Sequence, residues 1–245
     1  MKSTTYEKPA VLAEYLAFHY FDPQSLLPKG VKSAPGVGNF PEACVRLLRS
    51  KSGGQSARAL DVGCAVGRSS FELARFVPKV VGIDFSRSFI RAANKLQKEG
   101  KIKFRLLEEG NATRPVVARV PPKIDRARVL FRKGDALHLP KNLGSFDLVL
   151  AANLIDRLPD PKKFLSKLLP DLVSPKGHLL LTSPYTWTSE YTPRSKWFQD
   201  SFATLKKLLR PHFRLIHRQH LPFVLREHRR KFQYTFADAT LWQKI

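Results

Sequence analysis

Two kinds of apolar spacing run along the chain. Short, nearly continuous apolar runs at 59–62, 80–84, 146–152 and 178–182 have the length and composition of buried strands, and 128–133 reads as a further core strand. Around and between them, 7–21, 42–50, 86–99, 161–172 and 197–209 place apolar residues at helical steps. In the first of these helices the spaced positions are Val11, Leu12, Tyr15, Leu16, Phe18 and His19, and Asp22-Pro23 is read as its stop. Pro41 opens the second at its first position. Ser86 is placed to cap the third, which Gly100 ends. Two last runs, 213–221 and 232–242, are expected as an antiparallel pair that closes the sheet. Strands alternating with helices predict an α/β fold with a mostly parallel, seven-stranded, Rossmann-like sheet flanked by helices.

Breakers divide the pattern. Residues 24–40 are rich in Pro, Gly and Lys and read as a loop, and 51–56 reads as a flexible link. Residues 1–57 are therefore expected to form an N-terminal helical lid and linker, and 58–245 the main domain. An insert at about 101–127 contains Glu108-Glu109-Gly110 and the pair Pro121-Pro122, and is read as a short hairpin or extended loop. Ser174-Pro175-Lys176-Gly177 is a turn into the fifth core strand. No internal repeat is visible.

Length and charge narrow the class. A chain of 245 residues suits one α/β domain with a small appendage. No apolar run reaches about 18 residues, and Met1-Lys2-Ser3-Thr4 leads into a polar segment, so neither a membrane span nor a leader is expected. Two cysteines, Cys44 and Cys64, are too few for a disulfide framework, which makes a reducing cytoplasm the simplest home. Lys and Arg number 43 against 20 Asp and Glu, a net charge of +23. Such a balance favours anionic partners in general. The basic residues are dispersed, densest in 98–133 and 194–231, without the regular aromatic interleaving of a single-strand platform. A nucleic-acid partner is thus possible but not favoured.

Chemistry concentrates at 59–67. Asp61 stands in a strand that runs into Gly63-Cys64-Ala65-Val66-Gly67, and a helix starts at Arg68. Glycines let the backbone turn tightly and a ligand lie against it. About twenty residues on, the next strand ends in Asp84, followed by Phe85 and Ser86; an acid there suits a ribose diol. Asp135 and Ala136 end the third core strand, where Asp135 could accept from an adenine amino group. Asn153 and Leu154 follow the fourth strand into the crevice, and Tyr185 follows the fifth. The seven histidines lack metal-ligand spacing, and no G-x-S-x-G or G-K-[ST] is present, so metal, hydrolase and P-loop chemistries are not expected.

An acid at the end of each of two successive strands, with D-x-G-x-x-x-G between, resembles the S-adenosyl-L-methionine-dependent methyltransferases. The resemblance implies S-adenosyl-L-methionine as cofactor, held by Asp61, Gly63, Cys64, Ala65, Gly67, Asp84, Phe85, Ser86, Asp135, Ala136, Asn153 and Leu154. A sulfonium donor is already activated, so the protein has mainly to align an acceptor lone pair and exclude water. Further segments narrow the likeness: Tyr6-Glu7, 14–20, 63–74, 82–86, Glu109-Gly110, 151–159, 183–187 and 226–233 resemble the 4-mercaptohistidine N1-methyltransferase of ovothiol biosynthesis. Many members carry this unit behind an iron-dependent sulfoxide synthase, so a separate sulfoxide synthase is the expected functional partner. The chain departs from the family at Leu137, where a cysteine is expected, and in its basic charge. The resemblance implies a small-molecule acceptor. Arg226 is its first candidate for the acceptor's carboxylate or thiolate, with Arg157 a weaker one. Glu7, Tyr6 and Tyr15 are candidates for its amino group, Asn153, Tyr185 or His228 for its imidazole, and His19 or His228 for accepting a proton. Two other readings remain. An RNA methyltransferase is favoured by charge alone, and Ala152-Asn153-Leu154 stands where that class carries Asn/Asp-Pro-Pro-Tyr/Phe. The second is a non-catalytic, cofactor-binding partner protein.

Overall fold

Capping side chains set the helix starts. The computed structural model describes residues 4–53 and 56–245; Met1-Lys2-Ser3 and, within the predicted link, Gly54 and Gln55 lie outside the described residues. Helix α1 is Pro9–Tyr20, preceded by a 3-10 turn at Thr5–Glu7. Asp22 ends up doing more than stopping α1: its carboxylate accepts from Gln24 N and starts a short α2, Pro23–Leu26. Asn39 likewise caps α3, Phe40–Ser52, which absorbs Lys51 and Ser52 from the predicted link. Helix α4 is Arg68–Leu73, and α5, Arg87–Glu99, runs from its Ser86 cap to Gly100 in left-handed backbone.

The predicted helix at 161–172 is irregular. Asp160 caps α6, Pro161–Lys163, the turn then widens to a π-helix at Phe164–Leu168, and α7, Leu169–Leu172, finishes it. Pro170 has no N–H for the Ser166 carbonyl, which breaks the regular ladder there. The last helix, α8, is Ser201–Leu209; Asp200 caps it, and residues 197–200 precede it rather than belong to it.

The strands are β1 Arg58–Val62, β2 Lys79–Asp84, β3 Lys101–Glu109, β4 Ala112–Arg119, β5 Val129–Lys133, β6 Phe146–Ala152, β7 Val173–Ser183, β8 Phe213–His228 and β9 Lys231–Lys244. Seven of them form one sheet in the order β5-β2-β1-β6-β7-β9-β8. Strands β5, β2, β1, β6 and β7 are parallel; β9 runs antiparallel to β7, and β8 antiparallel to β9. The insert is the separate hairpin β3–β4. The turn expected at 174–177 bulges out of β7: Val173 pairs with Phe146 and His178 with Leu148, so the intervening residues have no register partner.

Both sheet faces are covered. Along β7, Leu180 faces one core with Ala59, Phe71, Leu96 and Leu150, while Leu179 and Leu181 face another with Leu60, Val149, Phe164 and Trp242. That is why these strands read as continuous apolar runs. A smaller cluster of Ala17, Leu26, Leu106 and Val116 lies between α1 and the β3–β4 hairpin. Strand β8 continues well past the predicted Leu221, and its far end meets this hairpin: Arg229 N donates to Glu108 O at 3.1 Å. The chain order reverses between β1 and β6, which opens a crevice beyond their C-terminal ends. Among the described residues no helix is long and apolar enough to cross a membrane.

Candidate active site

Strand β1 delivers the backbone into a turn that few side chains tolerate. Gly63, Ala65 and Gly67 all have positive φ, at 78°, 46° and 87°. A Cβ on Gly67 would stand 2.5 Å from Phe131 Cζ, and one on Gly63 would stand 3.0 Å from Leu154 Cδ1. Strand β2 holds the turn from below, because Ile83 O accepts from Gly63 N at 2.7 Å and Cys64 N at 3.1 Å. At its end the Asp84 carboxylate accepts from Ala65 N at 2.9 Å and from Ser86 N at 2.8 Å. Burial pushes the Asp84 carboxyl up to about 6, against those backbone N–H groups. Asp61 is buried beneath the turn, with Ser70 Oγ donating to it at 2.7 Å, and burial raises it to about 7.

The N-terminal segment covers this turn. Glu7 accepts from Arg87 N at 2.8 Å and Ser88 N at 3.2 Å, and Ser88 Oγ donates to Tyr6 O at 2.7 Å. Tyr20 Oη donates to Val66 O at 2.8 Å, inside the turn itself. Tyr6 stacks on Tyr191 at 5.6 Å between centroids, and Tyr15 packs on Phe89 at 4.7 Å. His19 is buried, and no hydrogen bond reaches its Nδ1 among the described residues. Burial, then the nearby Arg68 cation, lower its imidazole to about 3, so it stays neutral at physiological pH.

The crevice side is built by the exits of β6 and β7. Asn153 takes left-handed backbone, φ 50°, a conformation Asn tolerates better than most residues. Its N–H donates to Thr182 O at 2.8 Å, and Thr182 Oγ1 donates back to Asn153 Oδ1 at 2.9 Å. Arg157 follows, with Nη1 donating to Thr186 O at 2.7 Å and to Asp156 Oδ2 at 3.0 Å. Together these elements line a cavity of about 250 Å³.

Comparison with known proteins now bears on the site. Residues 60–181 match a family model described as a methyltransferase domain. The chain carries an S-adenosyl-L-methionine-dependent methyltransferase domain. Ajmaline N-methyltransferase of Rauvolfia serpentina is 25% identical over 158 residues, 64% of this chain and 46% of that protein. Norajmaline N-methyltransferase of the same organism is 31% identical over 111 residues, 45% of this chain and 30% of that protein. The chain thus spans less than half the length of the curated relatives it matches. The crystal structure of N-methyltransferase NodS from Bradyrhizobium japonicum WM9 in complex with S-adenosyl-L-homocysteine superposes with a TM-score of 0.56 at 15% identity. It covers 97% of this chain and 99% of that one, a likeness of fold.

The cavity of the methyltransferase domain suits the cationic cofactor of that fold: residues 63–65 of the glycine turn and the acidic residues Asp84 and Asp135 line it. Of the sequence-predicted residues, Tyr6, Tyr15, His19, Gly63, Cys64, Ala65, Asp84, Phe85, Asp135, Ala136, Asn153 and Leu154 line this one cavity. Asp61, Gly67 and Ser86 stand behind the lining: Asp61 is buried on Ser70, Gly67 precedes α4, and Ser86 caps α5.

Four predicted acceptor contacts lie elsewhere, for visible reasons. Glu7 is spent on the N-terminus of α5, as described above. Tyr185 sits at φ 53° and donates to Asp238 Oδ2 at 2.8 Å, drawn towards β9. Arg226 lies at the far end of β8, donating to Leu107 O and, at 2.9 Å, to Glu108 Oε1 of the β3–β4 hairpin. His228, two residues on, is in the tight turn to β9, where its Nδ1 accepts from Arg230 N. Arg226→Ala is accordingly expected to lower stability by about 1–3 kcal/mol, by orphaning hairpin acceptors, and to leave S-adenosylhomocysteine affinity within about twofold. Urea unfolding and calorimetry read the two effects separately.

The sequence reading did not single out Phe40, Ser69, Glu190 or Tyr191, which also line the cavity, and ranked Arg157 below Arg226. Glu190 and Tyr191 lie in irregular chain between β7 and α8, where no periodicity marks a residue as facing inward.

Proposed function

We propose that this protein is an S-adenosyl-L-methionine-dependent N-methyltransferase of a small molecule, with the imidazole nitrogen of 4-mercaptohistidine as acceptor. The cavity beneath the N-terminal segment carries the reading. Its volume lies just below the usual range for small-molecule sites of about 300–1,000 Å³, and the N-terminal segment roofs it, which suits a small acceptor better than a polynucleotide. The likeness to curated N-methyltransferases supports nitrogen as the acceptor atom, and the family-like segments at 14–20, 151–159 and 226–233 support the mercaptohistidine class. A separate sulfoxide synthase would then supply the substrate.

When bound, the cofactor supplies an electrophilic methyl group on a sulfonium. In this reading Asp84 would hold the ribose hydroxyls, and Asp135, with Ala136 and Phe85, would border the adenine. Gly63 to Ala65 would hold the methionine part, and Leu154, close to Gly63, would keep that path narrow. Asn153 reaches the acceptor ring from the strand exit. His19 orients rather than deprotonates: an imidazole held near 3 is too weak a base to take a proton at neutral pH. Tyr15, pushed up to about 12 chiefly by burial, remains a phenol and serves as a hydrogen-bonding hydroxyl. The acceptor's neutral ring nitrogen brings its own lone pair, and the ring proton leaves to solvent after transfer.

Calorimetric titration with S-adenosylhomocysteine, then with 4-mercaptohistidine added to that complex, tests the proposal. Binding of both, the second dependent on the first, is the expected result. Cofactor-product binding alone would discard the acceptor. Steeply salt-dependent RNA binding in that case would bring the RNA methyltransferase forward.

A further inference from the structure

We infer that Arg157 is the residue that reads a carboxylate on the methyl acceptor, and that buried Asp156 positions it. This rests on the small-molecule methyltransferase reading above. Arg157 is the one Lys or Arg among the described residues that line the cavity, in a protein with 43 such residues. Its other charged neighbours in the lining, Asp84, Asp135 and Glu190, are acids, so a lone cation there is set apart from the rest of the surface charge.

The guanidinium is held from one side. Nη1 donates to Thr186 O at 2.7 Å, Asp156 O at 3.1 Å and Asp156 Oδ2 at 3.0 Å. Among the described residues the remaining hydrogen-bonding partner is the Tyr6 hydroxyl. Five N–H donors in a planar fork exceed what these partners take up, which leaves an edge able to receive a carboxylate in bidentate fashion. The Tyr191 ring lies 5.2 Å from Cζ, within reach of a cation–π contact. Tyr15 is within electrostatic reach of both Arg157 and Asp84, so the cation and the acid proposed for the ribose share one cavity.

Asp156 explains why the fork holds its direction. It is buried, its Oδ2 takes Thr186 N at 3.1 Å as well as Arg157, and the Ser183 side chain also reaches the carboxylate. A buried carboxylate in that state is retained most economically by the cation beside it. Removing Asp156 would free Arg157 to swing without touching the acceptor itself.

The test uses the full chain loaded with S-adenosylhomocysteine and three probe pairs: 4-mercaptohistidine, histidine and imidazole-4-acetate, each with its carboxamide. The expected result is that the acid of a binding pair binds at least about tenfold tighter than its amide. Arg157→Ala erases that preference while S-adenosylhomocysteine affinity stays within about twofold, and Arg157→Lys restores part of it. Asp156→Asn should raise KM for the acid with kcat kept and leave the amide's KM unchanged, a split that general destabilisation would not produce. Equal binding of acid and amide, no binding of any pair to a protein that holds S-adenosylhomocysteine, or an equal loss of S-adenosylhomocysteine affinity in Arg157→Ala would each overturn the assignment. The last outcome would place Arg157 on the cofactor's own carboxylate. Failure of the unsubstituted chain to bind S-adenosylhomocysteine would instead overturn the methyltransferase reading beneath it.

Discussion

Asp84→Ala is expected to weaken S-adenosylhomocysteine binding by about 10²–10⁴-fold. Two losses add up. On the ribose assignment, two hydrogen bonds to a charged acceptor disappear, each contributing about 1.5–3 kcal/mol in a buried site. The same carboxylate also accepts from Ala65 N and Ser86 N, so the substitution strips two partners from the glycine turn and loosens it. Asp84→Asn separates the effects poorly, because an amide nitrogen facing either backbone N–H would oppose donor to donor. pH gives a cleaner control. Burial holds the Asp84 carboxyl up at about 6, and the ribose bonds need its ionised form. Affinity should therefore be flat above about pH 7 and fall by up to tenfold per unit below about pH 6. In Asp84→Ala that dependence should vanish. Unchanged affinity in the variant, measured by calorimetry at pH 7.5, would refute the ribose role.

The cofactor-free Asp61→Asn protein should be more stable than the unsubstituted chain at pH 8, by up to about 4 kcal/mol. Asp61 is fully buried, and burial lifts its carboxyl from 3.8 to about 7, with Ser70 Oγ and then Asp84 as lesser influences of opposite sign. The sign follows from proton binding. Between those two values the folded chain holds a proton that the unfolded chain has released, so stability falls as pH rises from about 4 to 7. At 1.36 kcal/mol per unit the full loss is about 4 kcal/mol, a large fraction of the 5–15 kcal/mol typical of folded domains. Asn cannot ionise, is nearly the same size, and still offers Oδ1 to the Ser70 hydroxyl. Urea unfolding at pH 4.5, 6 and 8 should show the two proteins converging at the acidic end and separating at the basic end. Parallel curves across that range would mean that Asp61 carries no such penalty.

Much of the donor side was legible before any tertiary contact was known. Gly63 and Gly67 are written into the sequence because a backbone at φ 78° and 87°, with no room for a Cβ, accepts little else. Asp84 and Ser86 were readable for a similar reason: a strand end and a helix cap are decided within a few residues of themselves. The inner parallel strands announced themselves by burial on both faces, which leaves a nearly unbroken apolar run; edge strand β5, with Leu130, Arg132 and Lys133 exposed, does not share that pattern. Helix α8 began later than its apolar spacing suggested because Asp200, a stronger local signal than Trp197, sets its first turn.

The acceptor side depended on where distant segments meet, and residue type alone could not rank it. Arg226 and Arg157 are equally plausible carboxylate partners on paper. Only the length of β8, which carries Arg226 beyond the sheet to the β3–β4 hairpin, removes the first from the cavity; only the bonds to Asp156 and Thr186 direct the second into it. Glu7 is read from the sequence as a contact for the acceptor's amino group, yet its carboxylate is taken up by the start of α5, 80 residues away in sequence. Tyr191 had no periodic setting to mark it, and gained its place by stacking on Tyr6 across the closed chain. What the sequence by itself determined is the chemistry fixed by local backbone: the strand ends, the glycine turn and the acids beside it. What the tertiary structure alone decided is which side chains face the cavity, since that is set by strand length, register and the packing of the N-terminal segment over the crevice.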